Sequence, residues 1–303
     1  MIYKVGLPAI IVLAFAASYW GQKQLDAFEH VEIPPVSQCR RIVSMAPSIT
    51  ETLYALGLGD RVVGVTRYCA YPPEVKEKAR VGGYFDPNFE AILALQPDLV
   101  ILQEGHEQAL PGFQKLNLRT QAVCHKNIEG IVESFRTIGR VCGCEQKGRE
   151  MAENYEKRLQ NIQRKTAGLA RPSVLFAVDR TPVPNHLADV YIAGADGYFD
   201  RMIELAGGQN AYRERIRFPV VSPEGILSMN PEVIIDLAPV VAMHNRDAQS
   251  IADDWNELAE VDAVKYHRVH VFDQGYACVP GPRFIQIVED IAHILHPEID
   301  WKE

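Results

Sequence analysis

Glu90-Ala91-Ile92-Leu93-Ala94-Leu95-Gln96-Pro97-Asp98-Leu99-Val100-Ile101 returns, at an offset of 134 residues, as Glu224-Gly225-Ile226-Leu227-Ser228-Met229-Asn230-Pro231-Glu232-Val233-Ile234-Ile235. Nearly every pair is identical or chemically similar. Each copy reads as a short helix, a turn set by its proline, and a buried strand. Two copies at so long a period mean paired lobes, not a solenoid. Between them runs a stretch of different character, from Glu145 to about Ala167. It has no proline, carries dense mixed charge with Glu145/Arg149 and Glu153/Lys157 at i,i+4 spacing, and aligns Met151, Ala152, Tyr155, Leu159 and Ile162 in one apolar stripe. About 23 residues at about 1.5 Å each predict a helix on the order of 35 Å long. Pro172 ends the pattern and Ser173-Val174-Leu175-Phe176-Ala177 begins a new strand.

From Arg41 on, short β-branched runs alternate with helical patterns, which predicts parallel α/β layers. Strands are expected at Arg41–Ser44, Val62–Val65, Leu99–Leu102 and Thr120–Val123, and helices at Ile49–Leu56 and Ile128–Cys142. The fold class expected is therefore α/β: two Rossmann-like lobes joined by a single long helix, with a ligand cleft between the lobes. The boundaries follow: 1–22 a signal peptide or N-terminal anchor, 23–39 a tether, 40–144 the N-terminal lobe, 145–170 the linking helix, 171–303 the C-terminal lobe.

Several of these assignments rest on composition. Met1 to Lys4 is a short basic start, and Val5 to Gln22 is an uncharged stretch containing the run Ala9 to Ala17. That pattern reads as a secretory signal or a retained anchor, and Pro34-Pro35 sits in the tether that follows. The expected location is periplasmic or extracytoplasmic, with membrane contact only through the leader or a permease. Six cysteines in an exported chain permit disulfides in 15 pairings; the pairing expected joins Cys142 or Cys144 to Cys124. A formal net charge of −8 and the lack of a long basic run exclude nucleic acid as a partner.

Arg41-Ile42-Val43-Ser44-Met45-Ala46-Pro47-Ser48-Ile49-Thr50-Glu51, Val63-Gly64-Val65-Thr66 with Tyr68 and Tyr71-Pro72-Pro73, Val81-Gly82-Gly83, Ala206-Gly207-Gly208-Gln209-Asn210 and Pro280-Gly281-Pro282-Arg283 occur in this order and spacing. Together they resemble the iron-siderophore, haem and cobalamin-binding receptors of ABC importers, the cobalamin-binding members above all. The resemblance implies a non-catalytic receptor for a metal chelate, two lobes on a rigid helix, and an ABC permease with its ATPase as partners. It implies no resident cofactor. It places Glu90 and Glu224 as one docking carboxylate per lobe, although Asn88 and Ser222 also read as helix N-caps whose glutamates complement the dipole. It places Tyr68 and Tyr84 in the cleft as aromatic ligand contacts, with Tyr276 beside Cys278, and puts Val279 where many relatives carry arginine.

Histidines supply a second theme. His106, His125, His186 and His244 each follow an expected strand end, where open α/β sheets gather ligands. Of these, His106, His186 and His244 join the candidate ligand set. They also support an alternative, a receptor for free zinc or manganese. Cys69 and Cys278 are expected on cleft-side loops. No G-x-S-x-G elbow, P-loop, H-E-x-x-H or strand-linked G-x-G-x-x-G is present, so an enzyme is not expected.

Overall fold

The computed structural model describes residues 39–301 apart from 107, 184–185, 196, 239–245 and 274. The expected leader and nearly all of the tether, as well as His244, lie outside the described residues.

The N-terminal lobe is a five-stranded parallel sheet. β1 (Ile42–Ser44) runs into α1 (Pro47–Ala55), β2 (Val62–Val65) and β3 (Ala79–Arg80) follow, and α2 (Phe89–Ala94) leads to β4 (Leu99–Gln103). α3 (Leu110–Lys115) and β5 (Thr120–Val123) complete it, in the strand order β3-β2-β1-β4-β5. Strands buried on both faces need apolar residues on both, and the period of two delivers them. Ile42, Val65, Leu99 and Ile101 pack with Ile49 and Leu53 of α1 on one face, while Val43, Val100 and Leu102 pack with Ile92 and Phe113 on the other. Pro47 opens α1, where a missing N–H costs nothing.

α4 (Ile128–Val141) turns directly into α5 (Glu145–Thr166), a single helix of 22 residues. The two cross closely because both are bare at the contact. A Cβ on Gly148 would meet the Phe135 carbonyl oxygen at 2.4 Å, and one on Gly139 would meet the Gly148 Cα at 3.0 Å. The apolar stripe of α5 then reaches the second lobe. One continuous core contains Ile131 and Phe135 of α4, Ala152, Leu159 and Ile162 of α5, and Phe176, Met202, Ile287 and Ile291 beyond it. The spine is therefore not a tether between two separate cores; it lies inside one.

The C-terminal lobe begins with β6 (Ser173–Val183), which turns back as β7 (His186–Ile192). It continues through α6 (Tyr198–Leu205), β8 (Gln209–Asn210), β9 (Val220–Val221), α7 (Pro223–Met229), β10 (Val233–Leu237), α8 (Ala248–Asp253), α9 (Asp262–Lys265), β11 (Val269–Phe272) and α10 (Phe284–Leu295). The sheet order is β11-β10-β6-β7-β9, with β8 beside β6. β10 and β11 are parallel to β6, whereas β7 is antiparallel. The β6–β7 hairpin was not expected, since residues 178–192 mix polar and apolar residues without a clean period.

Two expectations are corrected. Cys142 pairs with Cys39, at a Cα–Cα separation of 4.9 Å, and Cys124 is free. Cys124 lies beside the N-terminal turn of α4, its Sγ 2.8 Å from the place of a Gly130 Cβ. Cys142 follows the far end of that 14-residue helix, about 21 Å away at about 1.5 Å per residue. No disulfide spans that distance. Cys39, expected to end the tether, is buried and covalently fixed, and Arg61 donates to the carbonyls of both half-cystines at 3.2 and 3.1 Å.

Candidate functional site

α1, which follows the C-terminal end of β1, meets the turn that follows β11 in the second lobe. In the sheet order of the first lobe the direction reverses between β1 and β4, the switch point at which open α/β sheets hold ligands. The turn Pro280-Gly281-Pro282-Arg283 of the second lobe packs onto it. A Cβ on Gly281 would stand 3.2 Å from the Ser48 Cα, so only a bare residue permits this approach. Arg283 then reaches across: its Nε donates to Glu51 Oε2 at 2.9 Å and its Nη2 to Oε1 at 2.6 Å. The guanidinium lies 4.0 Å from the ring centre of Tyr71, on the first lobe, and 4.8 Å from that of Tyr276, on the second.

Glu51 is 5% exposed, set on the buried face of α1 between Ile49 and Leu53. Burial pushes its carboxyl above the ordinary value, and Arg283 pulls in the opposite direction. Tyr198 brings a buried hydroxyl to the same junction, its pKa raised well above the ordinary value, first by burial and then by Glu51 and Cys278. Beneath Ser48 lies His125, with Nδ1 2.8 Å from Ser48 Oγ and Nε2 2.9 Å from Ser134 Oγ. Ser134 donates its own hydroxyl hydrogen to the Ile131 carbonyl at 2.6 Å. It must therefore accept from Nε2–H, which leaves Nδ1 to accept from Ser48. Both partners suit the neutral ring, and burial lowers the pKa to about 4.

Around this junction the expected ligand residues fall unequally. Tyr68 is 59% exposed, with the Arg67 guanidinium 5.6 Å from its ring centre. Tyr84 is half-buried, its ring centre 4.0 Å from that of His106 and its hydroxyl donating to the Glu104 carbonyl at 3.3 Å. His106 is buried, Nδ1 2.8 Å from the Gln103 carbonyl oxygen. Tyr276 stands in the turn Gly275–Cys278, half-buried. His186 is the first residue of β7, and its side chain lies outside the described residues.

Other expectations give way. His125 is a packed, doubly hydrogen-bonded core residue. Cys69 is buried, its Sγ taking a hydrogen bond from Thr50 Oγ1 at 3.2 Å and lying 3.1 Å from Thr66 Oγ1, and burial pushes its thiol up. Cys278 is exposed. Among the described residues no group of three or more His, Cys, Asp or Glu is arranged to hold a metal ion, and the strand-end histidines described here do not converge. Sequence reasoning quoted Tyr71, Glu51 and Arg283 only within the segments that carry the resemblance and gave none of them a role in the site, and it passed over the 81% exposed Phe85. The signal for Glu51 was present: a carboxylate on the apolar face of a helix needs a partner, and the remote Pro-Gly-Pro-Arg turn supplies it.

The docking candidates are both exposed on the first turn of a capped helix. Asn88 Oδ1 accepts from the Ala91 N–H at 3.0 Å, and Ser222 Oγ from the Gly225 N–H at 3.4 Å. The Ser222 hydroxyl and its own backbone N–H hold the Glu224 carboxyl below the usual range. A concavity of about 540 Å³ lies elsewhere, along the outer edge of β11 between α8 and α10, lined by His270, Asp290 and His293 among others. Its lining comes from the second lobe alone, and the lobe junction is the better candidate because both lobes contribute to it. No described helix is long and apolar enough to cross a membrane.

Comparison with known proteins agrees with the two-lobed α/β fold. An ABC transporter substrate-binding lipoprotein of Bacillus subtilis is 30% identical, the match covering 98% of this chain and 97% of the relative. The vitamin B12-binding protein of Vibrio cholerae superposes with a TM-score of 0.70 at 26% identity, over 84% of this chain and 96% of its own. The periplasmic haem-binding protein of Roseiflexus superposes with a TM-score of 0.72 at 27% identity, over 86% of this chain and 99% of its own. Residues 42–276 match the periplasmic binding protein family from the first strand to the turn that carries Tyr276, and this chain belongs to that family.

Proposed function

We propose that this chain is the exported receptor of an ABC importer, capturing a metal chelate of the corrinoid, haem or ferric-siderophore class and delivering it to a membrane permease powered by an ATPase. The observation that carries this reading is the meeting of tyrosines from both lobes, Tyr71 and Tyr276, around one arginine at the strand ends. Flat, weakly polar rings on two facing surfaces suit a planar macrocycle through stacking and apolar contact. Tyr68 and Tyr84, with the buried His106 packed against the Tyr84 ring, join the proposed ligand set from the first lobe, and His186 and His244 from the second. The names of the relatives support the same class: one binds vitamin B12, one haem, and one is an ABC transporter component.

Docking is assigned to Glu90 and Glu224, which occupy equivalent points of the internal repeat. One carboxylate per lobe matches a permease with two equivalent basic sockets. The N-terminal 22 residues act as the leader or anchor that places the receptor outside the cytoplasm. The chelate is cargo, and the receptor does no chemistry on it.

The absorbance spectrum of protein purified from cells supplied with cobalamin and haem tests the reading. A tetrapyrrole or corrin band that stays with the protein through gel filtration is expected. Colourless protein carrying stoichiometric zinc would overturn it in favour of the free-ion reading.

A further inference from the structure

The two copies of the repeat fold into matching surface helices. Over 88–96 and 222–230 every position has the same degree of burial in both copies: Ile92 and Ile226 face the core, and the same five positions are exposed. Each helix is capped by a side chain at its start and ends at a residue with positive φ, Gln96 at 45° and Asn230 at 42°. Some identities between the copies have an internal cause, Ile92 with Ile226 in packing and Pro97 with Pro231 in the turn. The five exposed positions have none, and three of them differ: Asn88 against Ser222, Ala94 against Ser228, Gln96 against Asn230. The two that do not differ are Glu90 with Glu224 and Leu93 with Leu227.

The leucines serve little inside the chain. Each is 41% exposed, while Leu95 and Met229, two positions on, pack against the cores. For the helix itself leucine is hardly better there than glutamine or lysine, either of which would keep the surface polar. A single exposed leucine is ordinary. The same leucine at the same exposure, three residues after the same glutamate, on both lobes is a paired feature. At i,i+3 the two side chains are neighbours on one helix face, with about 5–6 Å between their Cβ atoms. The small residues Ala94 and Ser228 follow each leucine and leave room for a surface to approach.

We infer that Leu93 and Leu227 are a pair of apolar anchors, one per lobe. They seat, beside Glu90 and Glu224, in two equivalent hollows of a two-fold symmetric protein, each hollow carrying an arginine or lysine at its rim. The inference rests on the docking reading above and adds its apolar half. A chain that shows one carboxylate–leucine face twice is complementary to a homodimer that shows one socket twice. The buried leucine keeps water from the ion pair beside it, and such a pair is worth more than one left in solvent. The anchors also discriminate between partners: a basic surface without hollows satisfies the glutamates but leaves both leucines in water.

Photocrosslinking of the full chain in the membranes of the cells that produce it tests this. Benzoylphenylalanine in place of Ala94, or in place of Ser228, leaves both leucines and both glutamates intact and reports on each lobe in turn. Both positions are expected to crosslink to one polypeptide, and peptide mapping to find both crosslinks in the same segment of its sequence. Leu93→Asn combined with Leu227→Asn keeps the size and removes the apolar character; it is expected to cut both yields about fivefold or more. Circular dichroism of that variant separates lost anchoring from lost folding, and the mapping with intact leucines decides the matter even where the variant is unstable. The same probe in place of Leu169, 37% exposed and outside the repeat, gives the background yield. Crosslinks from the two lobes to different polypeptides or different segments would overturn the paired anchors, as would yields no higher than background or unchanged by the double substitution. A shared partner that is no membrane protein would leave the anchors standing and overturn the receptor reading instead, so the two fail separately.

Discussion

Acidification is expected to destabilise this protein through one histidine. His125 is 2% exposed, and both of its ring nitrogens are hydrogen-bonded in the neutral form. Its pKa falls from 6.5 to about 4 because a charged imidazolium in that position loses its hydration. In the unfolded chain the ring protonates near 6.5. Between the two values the unfolded state therefore binds the extra proton and the folded state does not, so stability rises with pH across this window and is lost as pH falls through it. Two and a half pKa units correspond to about 3 kcal/mol in full, and the part lost between pH 7 and pH 5 is about 2 kcal/mol. Protonation also demands that the Ser48 hydroxyl turn round to accept, beside the tight Gly281 contact, so strain is added at the lobe junction. Urea unfolding at pH 7 and pH 5, on the unaltered protein and on His125→Asn, measures this directly. The variant is expected to be less stable at pH 7 yet to lose about 2 kcal/mol less between the two pH values. Equal pH slopes in the two proteins would refute the reasoning, because carboxylates common to both would then carry the whole effect.

Three further outcomes are expected. Gly148→Ala places a Cβ 2.4 Å from the Phe135 carbonyl oxygen and should destabilise by about 1–3 kcal/mol, read from the midpoint of denaturant unfolding; an unchanged midpoint would mean the two helices separate at no cost. Because one core runs through α4, α5 and α10, ligand should change the radius of gyration in small-angle scattering only slightly, whereas a large drop would show hinged lobes. Charge reversal at both Glu90 and Glu224 should leave chelate affinity unchanged and abolish uptake by cells that depend on this receptor, and retained uptake would reduce both residues to helix-cap partners.

Much of the architecture was legible because it is written in local periods. The repeated Glu90 and Glu224 segments announce two lobes, and the charge pattern with the stripe Met151 to Ile162 announces the helix between them. Its stripe marks a linking helix between lobes, but nothing in it shows that Leu159 and Ile162 sit in a core shared with α4. The junction was less legible still. Glu51 and Arg283 are 232 residues apart, and each looks ordinary in its own neighbourhood until the fold sets them 2.6 Å from one another. His125 misled for a related reason: a histidine just past a strand end has the position of a ligand, and only the packing of Ser48 and Ser134 against it reveals a core residue. The Cys39–Cys142 bond shows the same limit, since its loop closes through tertiary structure alone.

The most direct test of the central claim is a titration of the purified chain with cyanocobalamin, followed in the visible band of the corrin, on the unaltered protein and on a Tyr68→Ala, Tyr276→Ala double variant. Tyr68 is largely exposed and Tyr276 is half-buried at the edge of the core, so both lobes should stay folded without them, which circular dichroism of the variant checks. The expected result is saturation at one corrinoid per chain, weakened about tenfold or more in the variant, as the loss of two ring contacts of about 0.5–1.5 kcal/mol each implies. A band that never saturates, or an affinity that the double variant leaves unchanged, would contradict an aromatic chelate site between the lobes.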